Sequence, residues 1–206
     1  PHPLPGDYAE GFLSGLQTQS GKIEFLPNSL QRFAADRDER PVLNRYVASW
    51  EGPHTESLVG KYPLQLLTAH PRYSFHTQAD GQNGFINTIE DHRVEVGGYR
   101  YWVLRMNPED AKARGIAHHG LVGVFNDRAT VVCAADLTHA VTRGVVKAFE
   151  SCAEFDFIES DDGRIVDRGG CMNLLTPSRN QATGTSAIAP NSCLVQVQAW
   201  NEVWRK

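Results

Sequence analysis

The sequence predicts a mainly β protein, either a closed barrel or a sandwich of six or seven strands with little helix. Three observations lead to this fold class. Short runs of branched and aromatic residues recur along the chain, Gly, Pro and Asn separate them, and strand-like segments do not alternate with long helical ones. With 206 residues, of which 41% are hydrophobic, the chain can bury a core of its own.

Charge and hydropathy exclude two classes of function. The net charge of -4 leaves no electrostatic footprint for nucleic acid or for an anionic membrane surface. No apolar run approaches the roughly 20 residues that cross a bilayer. We therefore expect neither nucleic-acid binding nor membrane insertion.

The four cysteines are too widely spaced for the paired C-x-x-C arrangement of zinc and iron–sulfur sites. An even count permits two disulfides, but a chain of this size does not need them. We predict reduced thiols that pack as small buried hydrophobes. The residues are Cys133, Cys152, Cys171 and Cys193.

Residues 1–60 are predicted to form an extended N-terminal arm and a linker, and residues 61–206 the domain proper. The first residues, PHPLPGDYAEG, are rich in Pro and Gly and favour an irregular connection. A short extended piece is expected at residues 20–25 and a brief helical turn at 28–33. The apolar spacing of residues 36–61 fits neither a long helix nor a strand, so we expect a linker along the domain surface.

Residues 62–78, YPLQLLTAHPRYSFHTQ, predict a buried strand over 62–67 followed by a polar loop. Pro63 is tolerated at the start of a strand. The loop concentrates hydrogen-bonding side chains at the end of a rigid strand, where ligand-binding loops are often found. A polar surface connection explains the same composition equally well. The side chains concerned are those of Thr68, His70, Arg72, Ser74, His76 and Thr77.

A short helix is predicted after two strands, at residues 93–96 and 99–106. Asn107 is placed to cap the helix with its side-chain oxygen, and Pro108 occupies the first helical position. Gly115 ends it, because glycine readily takes the left-handed conformation found there.

The next two strands, 121–125 and 130–135, are predicted to pair as an antiparallel hairpin around a turn that begins at Asn126. His118 and His119 are adjacent on a turn without a nearby carboxylate or thiol, so we expect them to be solvent-exposed. No metal ligand is expected in the chain. Further strands are predicted at residues 144–150 and 193–200.

Three motifs, LLTAHPRYSFHT, NPEDAKARGI and NLLTP, together resemble the C-terminal molybdopterin dinucleotide-binding domain of the dimethyl sulfoxide reductase superfamily in order and spacing. The stretch SGKIEF resembles the segment that precedes this domain. The resemblance covers about residues 61–204 and implies a double-psi β-barrel of the aspartate decarboxylase-like kind.

The sequence departs from this family pattern in two places. Ala117, His118 and His119 stand where relatives have an acidic residue and Gly. ESCAEFD stands where many relatives have paired tryptophans, and this resembles the branch of pyrogallol–phloroglucinol transhydroxylases.

The resemblance implies binding of bis-molybdopterin guanine dinucleotide with molybdenum or tungsten. Side-chain donors suit the acceptors of a pterin ring, and backbone amides with Thr or Ser suit pyrophosphates. Asn173 has a second possible role as the cap of the short helical turn after it. The expected cofactor contacts are Thr68, His70, Arg72, Ser74, His76, Thr77, Asn126 and Asn173.

The resemblance also implies that the chain is a piece of a larger oxidoreductase or transhydroxylase and does not turn over substrate alone. The implied partners are the upstream domains of the catalytic subunit and an iron–sulfur subunit. The transhydroxylase branch implies the cytoplasm, with the periplasm left open. No catalytic residue is predicted, because Ser74 and His76 lack a third, orienting acid.

Two other classes of function remain at this point. A free-standing enzyme of the aspartate decarboxylase type needs a self-processed Gly-Ser site, whereas Ser14 and Gly15 occur in the reverse order. A non-enzymatic β-sandwich could instead bind carbohydrate or protein through exposed Trp and Tyr side chains.

Overall fold

The computed structural model describes residues 16–26, 38, 41–43, 45–76, 82, 84–90, 92–150, 154–158 and 166–200. The chain divides into two compact units, residues 1–48 with 180–187 and residues 49–179 with 188–206. The second unit has the helices α1 (Glu56–Val59) and α2 (Pro108–Lys112) and 3₁₀ turns at Phe85–Thr88 and Met172–Leu174. Its strands are β1 (Leu64–Ala69), β2 (Arg93–Val96), β3 (Tyr99–Met106), β4 (Leu121–Phe125), β5 (Thr130–Leu137), β6 (Val145–Phe149), β7 (Phe157–Ile158), β8 (Val166–Asp167) and β9 (Leu194–Ala199).

Six of the strands close into a barrel. The sheet order is β2-β3-β6-β1-β9-β4-β5-β8-β7, and an additional pairing between β3 and β5 completes the ring β3-β6-β1-β9-β4-β5. β1 pairs with β6, and β3 with β5, in parallel, whereas the other pairings of the ring are antiparallel. The prediction of a mainly β fold with few helices is confirmed, and the ring is a closed barrel. The double-psi crossing of its loops stays a prediction.

The barrel is filled by the inward-facing side chains of its strands. Leu64, Leu66, Trp102 and Leu104 are at most 1% exposed and belong to one continuous apolar cluster. At about 25 cal/mol for each Å² of apolar surface removed from water, such side chains supply most of the stabilisation of the fold. The core cysteines Cys133, Cys171 and Cys193 are free and buried, which confirms the prediction for these three; Cys152 lies outside the described residues.

The predicted strands and helix are largely confirmed. β2, β3 and β4 have the predicted bounds, β5 is two residues longer, and β6 and β9 are each slightly shorter. β1 begins at Leu64 rather than residue 62, since Pro63 has no N–H to donate to a neighbouring strand. In α2, Asn107 Oδ1 accepts the Glu109 N–H at 3.0 Å as expected, and Gly115 takes φ +64° after it.

Three details differ from the sequence-based expectations. Residues 18–21 form a turn with Gly21 at φ +68°, so the extended piece expected at 20–25 is wrong in its first part. α1 lies within the expected linker. The cap expected of Asn173 is also wrong: Asn173 lies inside its 3₁₀ turn, and the preceding Cys171 makes no side-chain cap. The turn expected at 28–33 lies outside the described residues.

Within the described residues, no helix combines the length and the apolar character needed to cross a bilayer. The longest of them, α2, has five residues.

A buried ion pair joins the expected linker to the barrel. Glu51 is only 7% exposed, and its two carboxylate oxygens each accept a 2.9 Å hydrogen bond from the guanidinium of Arg128. The same carboxylate accepts the Leu194 N–H at 3.1 Å, and the Arg128 Nε donates to the Leu175 carbonyl at 2.6 Å. The Glu51 N–H also donates to Ser192 Oγ at 2.9 Å. One acid and one base therefore fasten four separate segments of the chain.

The pair also sets the protonation of Glu51. Burial alone would raise the pKa of this carboxyl, but the hydrogen bonds from Arg128 and the Leu194 amide, with the charge of Arg128, outweigh it. The pKa of Glu51 therefore lies below its ordinary value of 4.5. Since the folded pKa is the lower one, the stabilisation is complete above the unfolded pKa and is lost as the pH falls through the folded pKa.

We expect Glu51→Gln to lower the free energy of unfolding by about 2–3 kcal/mol near pH 7. This is less than the loss for a fully buried pair, because the Arg128 side chain is 33% exposed. The difference between the wild type and Glu51→Gln should shrink as the pH falls below 4.5, because protonation removes the same charge from the wild type. Urea unfolding followed by circular dichroism measures both effects.

The matched control is Glu56→Gln, on the exposed face of α1. It should change the free energy of unfolding by less than about 0.5 kcal/mol, as for most surface substitutions. Equal effects of the two substitutions would show that the Glu51–Arg128 pair does not anchor the linker.

Candidate functional site

The predicted binding loop lies at one end of the barrel, together with several other segments. β1 and β6 are parallel and finish at this end, while β9 begins there. β4 is antiparallel to β9, so the turn that starts at Asn126 lies at the same end. Hydrogen bonds confirm this placement, since Asn126 Nδ2 donates to the Leu194 carbonyl at 3.2 Å and to the Leu175 carbonyl at 2.9 Å. Loops distant in sequence therefore converge on one surface.

A cavity of about 350 Å³ opens beside the end of β1. Its size lies at the lower limit of small-molecule sites, which span roughly 300–1,000 Å³. Two of the predicted site residues, His70 and Arg72, contribute to the wall. The full lining is His70, Arg72, Tyr73, Glu90, His92, Arg105, Lys147 and Phe149.

Two cations of the lining face each other across neighbouring strands. Arg105 of β3 is the register partner of Lys147 of β6. Like charges in such a position repel, unless an anion lies close by. Asp136 offsets part of the charge through a 2.9 Å hydrogen bond from Arg105 Nε, and its carboxylate is nearly buried. Lys147 has no hydrogen-bond or ion-pair partner in the described part of the chain, so it remains available to a ligand.

Aromatic rings form the apolar part of the cavity wall. The Arg72 guanidinium lies 5.4 Å from the centroid of the Tyr73 ring, a cation–π distance. The His92 ring contacts Tyr73 and Trp102 edge to face, with centroids 6.2 and 4.9 Å apart. Burial, followed by the charge of Arg93, lowers the pKa of His92, so its imidazole is neutral at physiological pH. The wall therefore offers flat, uncharged surfaces beside three positive side chains and one carboxylate, that of Glu90.

Next to the cavity, the carboxylate of Glu150 lies close to the two loop histidines. His70 Nδ1 lies 2.7 Å from Glu150 Oε1, and His76 Nδ1 lies 3.6 Å from the same oxygen. The ring centroids of His70 and His76 are 5.0 Å apart in an edge-to-face arrangement. The structure thus brings together two predicted site residues through a carboxylate that was not predicted.

Two further residues of the predicted loop have distinct surroundings. The Thr68 backbone N–H donates to Asn191 Oδ1 at 2.8 Å, and its hydroxyl lies 3.3 Å from the same oxygen. The Ser74 hydroxyl oxygen is buried and has no hydrogen-bond partner among the described residues. An unsatisfied buried hydroxyl in a polar loop is a feature that a ligand can complete. Thr77 lies outside the described residues.

The two predicted asparagines are placed differently from the loop. Asn126 is 3% exposed, its amide donates to main-chain carbonyls, and its Oδ1 accepts the Arg128 N–H at 2.9 Å. Asn173 is exposed, and its carbonyl accepts the Thr176 hydroxyl at 3.0 Å. Neither lines the cavity. Their contacts with a cofactor stay predictions, and in this structure the side chain of Asn126 serves the fold.

Sequence reasoning missed Arg105, Lys147 and Glu150. A signal was present, because Lys147 interrupts the otherwise apolar strand VVKAF, and Arg105 interrupts the apolar run of YRYWVLRM. A charge in a buried strand faces a polar partner or a ligand far more often than a sealed core. No comparable signal marks Glu150, which reaches His70 only through the pairing of β1 with β6.

The structure is a closed barrel with cations, imidazoles and aromatic rings at one end. Comparison with known proteins identifies the family. The profile described as "Molydopterin dinucleotide binding domain" matches residues 64–194, which is more than half of the chain. The chain belongs to this family of molybdopterin dinucleotide-binding domains. The resemblance seen in the sequence and the class of cofactor are thereby confirmed.

Individual relatives agree with this membership. The chain is 44% identical over 190 residues to the pyrogallol hydroxytransferase large subunit of Pelobacter acidigallici, covering 91% of this chain and 22% of the relative. It is 30% identical over 181 residues to a dimethyl sulfoxide/trimethylamine N-oxide reductase of Cereibacter sphaeroides, covering 86% of this chain and 20% of the relative. The chain therefore spans about a fifth of the length of these curated relatives.

A solved structure has the same fold. Acetylene hydratase from Pelobacter acetylenicus superposes with a TM-score of 0.61 at 14% sequence identity, over 88% of this chain and 24% of that one. At this identity the likeness concerns the fold alone. It supports the barrel architecture independently of the sequence motifs.

We expect Lys147→Met to raise the free energy of unfolding of the ligand-free chain by about 0.5 kcal/mol, because it removes the repulsion from Arg105 while keeping the side-chain length. Arg105→Met should lower it by about 1–2 kcal/mol, because Asp136 then loses its partner. Urea unfolding at low ionic strength measures both, and added salt should reduce the gain from Lys147→Met.

The control is Lys112→Met, at the exposed end of α2, with an expected change below about 0.5 kcal/mol. A clear loss of stability in Lys147→Met would mean that this lysine supports the fold, and that its charge is not held ready for a ligand.

Proposed function

We propose that this chain binds part of a molybdopterin guanine dinucleotide at the cavity beside β1, within a larger enzyme that performs oxidoreduction or transhydroxylation. The observation that carries the proposal is the facing pair Arg105 and Lys147, with Arg72 in the same cavity. A pterin offers carbonyl and ring-nitrogen acceptors, and its pyrophosphate carries negative charge. Hydrogen-bond donors, positive charge and a flat wall are what such a ligand requires.

The proposed roles follow from the chemistry of each side chain. Arg72 donates to the pterin through its planar guanidinium, which suits paired acceptors. Lys147 and Arg105 neutralise the pyrophosphate. Ser74 supplies the hydroxyl that lacks a partner in the described chain. A cavity of about 350 Å³ has room for the pterin or the phosphates, and the remainder of the dinucleotide extends over the neighbouring loops.

The remaining predicted contacts belong to these loops. His70 is held by Glu150 through its Nδ1 atom, which leaves its Nε2 atom to a ligand, and His76 Nδ1 lies 3.6 Å from the same carboxylate oxygen. The other proposed contacts are Thr68, Thr77, Asn126 and Asn173. When bound, the cofactor supplies the redox-active metal, which we propose to be molybdenum, with tungsten as the alternative. The residues of this chain bind and orient the organic part of the cofactor.

The parent protein is proposed to be a catalytic subunit of the transhydroxylase type. The 44% identity to the pyrogallol hydroxytransferase large subunit and the ESCAEFD segment favour this branch over the reductases. Since the chain spans about a fifth of that relative, the proposal includes upstream domains that complete the cofactor site. For the parent enzyme, the proposal also includes an iron–sulfur subunit as a partner and a location in the cytoplasm.

Binding is tested by titrating the chain with molybdopterin guanine dinucleotide and following the pterin fluorescence. We expect saturable binding that weakens by about tenfold in Arg72→Ala and in Lys147→Met, since a charge-assisted hydrogen bond contributes about 1.5 kcal/mol or more. Arg143→Ala, an exposed arginine outside the cavity, should bind like the wild type. A panel of oligosaccharides serves as the comparison ligand. Saturable binding of an oligosaccharide without binding of the dinucleotide would contradict the proposal.

Catalysis is tested by adding the upstream domains. The chain alone should convert no pyrogallol, whereas the chain mixed with cofactor and the remaining domains of the parent subunit should regain transhydroxylation. The Lys147→Met variant should require more cofactor to reach half of the maximal rate. Turnover by the chain alone would refute its assignment as a cofactor-binding domain.

A further inference from the structure

Two histidines and a glutamate meet where β1 and β6 end. The parallel register pairs Ala69 with Phe149, and the Glu150 N–H donates to the Ala69 carbonyl at 3.0 Å. His70 and Glu150 are the next residues along their strands, so the pairing itself places their side chains next to each other. His76 returns to the same place from the loop. The cluster therefore rests on two hydrogen-bonded strands, which fix positions better than loops do.

The atoms of the cluster are spaced as metal ligands. Nδ1 of His70, Nδ1 of His76 and a carboxylate oxygen of Glu150 all lie within 4.8 Å of one another. The two nitrogens lie 2.7 and 3.6 Å from Glu150 Oε1. Ligands at about 2.0–2.1 Å from a tetrahedral ion are about 3.3 Å apart, so small side-chain rotations suffice to admit one.

The backbone of His76 provides a second, independent observation. His76 has φ +52°, one of two residues other than glycine with positive φ in the described chain. This left-handed conformation is unfavourable for a residue with a Cβ, and such strain is concentrated at functional sites. Here it turns the imidazole back towards His70, to a centroid distance of 5.0 Å. Glycine would adopt the turn more easily, but it would leave the cluster with two ligands.

We propose that His70, His76 and Glu150 bind a divalent first-row transition-metal ion, with Zn²⁺ as the simplest case. Two imidazole nitrogens and one carboxylate suit Zn²⁺ or Fe²⁺, and they disfavour Ca²⁺ and Mg²⁺, which prefer oxygen ligands. Three protein ligands leave at least one coordination position open. The site borders the cofactor cavity through His70, and it differs from the sequence-based expectation that the chain holds no metal ligand.

The metal site does not depend on the proposed function. It uses only the Nδ1 atoms and the Glu150 carboxylate, whereas the cofactor proposal rests on Arg72, Arg105 and Lys147. Zinc binding can therefore fail while the dinucleotide still binds, and the dinucleotide can fail to bind while zinc binding persists.

The experiment is a Zn²⁺ titration of the 206-residue chain against a chromophoric chelator, with Co²⁺ absorption in the visible as a second measurement. We expect one binding site per chain. The visible absorption of bound Co²⁺ should be that of an ion with a low coordination number. His70→Ala and Glu150→Gln should each weaken Zn²⁺ binding by more than about tenfold, since even the loss of an outer-shell partner costs that much. The Co²⁺ band should disappear in both.

The matched control is the double substitution His118→Ala with His119→Ala. These two rings are stacked with centroids 3.8 Å apart and are exposed, but they belong to no three-ligand cluster in the described residues. They lie on the turn before β4, at the opposite end of the barrel. Their removal should leave Zn²⁺ affinity unchanged.

A variant that separates metal binding from folding is His76→Gly. It removes a ligand and relieves the positive φ, so the metal-free chain should have a higher urea midpoint while its Zn²⁺ affinity falls by more than about tenfold. Wild-type affinity in His70→Ala and His76→Gly would overturn the proposal. So would a loss of the site in the His118/His119 control.

Discussion

Parallel pairing of β1 with β6 is the constraint on which the candidate site depends. It ends both strands at the same level, so the loop after Ala69 and the residues after Phe149 emerge side by side. The pairing of β3 with β6 then places Arg105 beside Lys147, and the pairing of β3 with β5 closes the ring. A closed ring has no free edge at these strands, so its loops are held from several sides. Pairings between strands distant in sequence, rather than any single motif, create the cavity.

The barrel end is fastened by charges as well as by strands. The Glu51–Arg128 pair joins the segment before α1 to the carbonyl of Leu175 and the amide of Leu194. Because both charges are largely removed from water, each would be costly without the other. The barrel thus combines an ion pair between Glu51 and Arg128, which holds the loops, with the ammonium group of Lys147, which is unpaired among the described residues. The charge of this lysine remains available to a ligand. This contrast distinguishes the polar groups that serve the fold from those available for binding.

Much of the local structure could be predicted from the sequence, because it depends on neighbouring residues. β2, β3 and β4 follow from their branched and aromatic residues and from the turns that bound them, and the cap of α2 by Asn107 follows from cap chemistry. The partners of each strand could not be predicted, since periodicity identifies the buried face and not the neighbouring strand. For the same reason the loop with His70 and Arg72 was recognised, whereas Lys147 and Glu150, contributed by β6 and its end, were not. Glu51 was missed because a buried acid in a Pro-containing, charged segment has no periodic signature.

The central claim is that this barrel end, and not the opposite one, holds the dinucleotide. Amide hydrogen exchange of the chain with and without molybdopterin guanine dinucleotide tests it most directly. The account predicts slower exchange at residues 70–76 and 147–150, with no change at residues 108–120, which lie at the opposite end. Protection confined to residues 108–120, or no protection at a saturating concentration of the dinucleotide, would contradict the account.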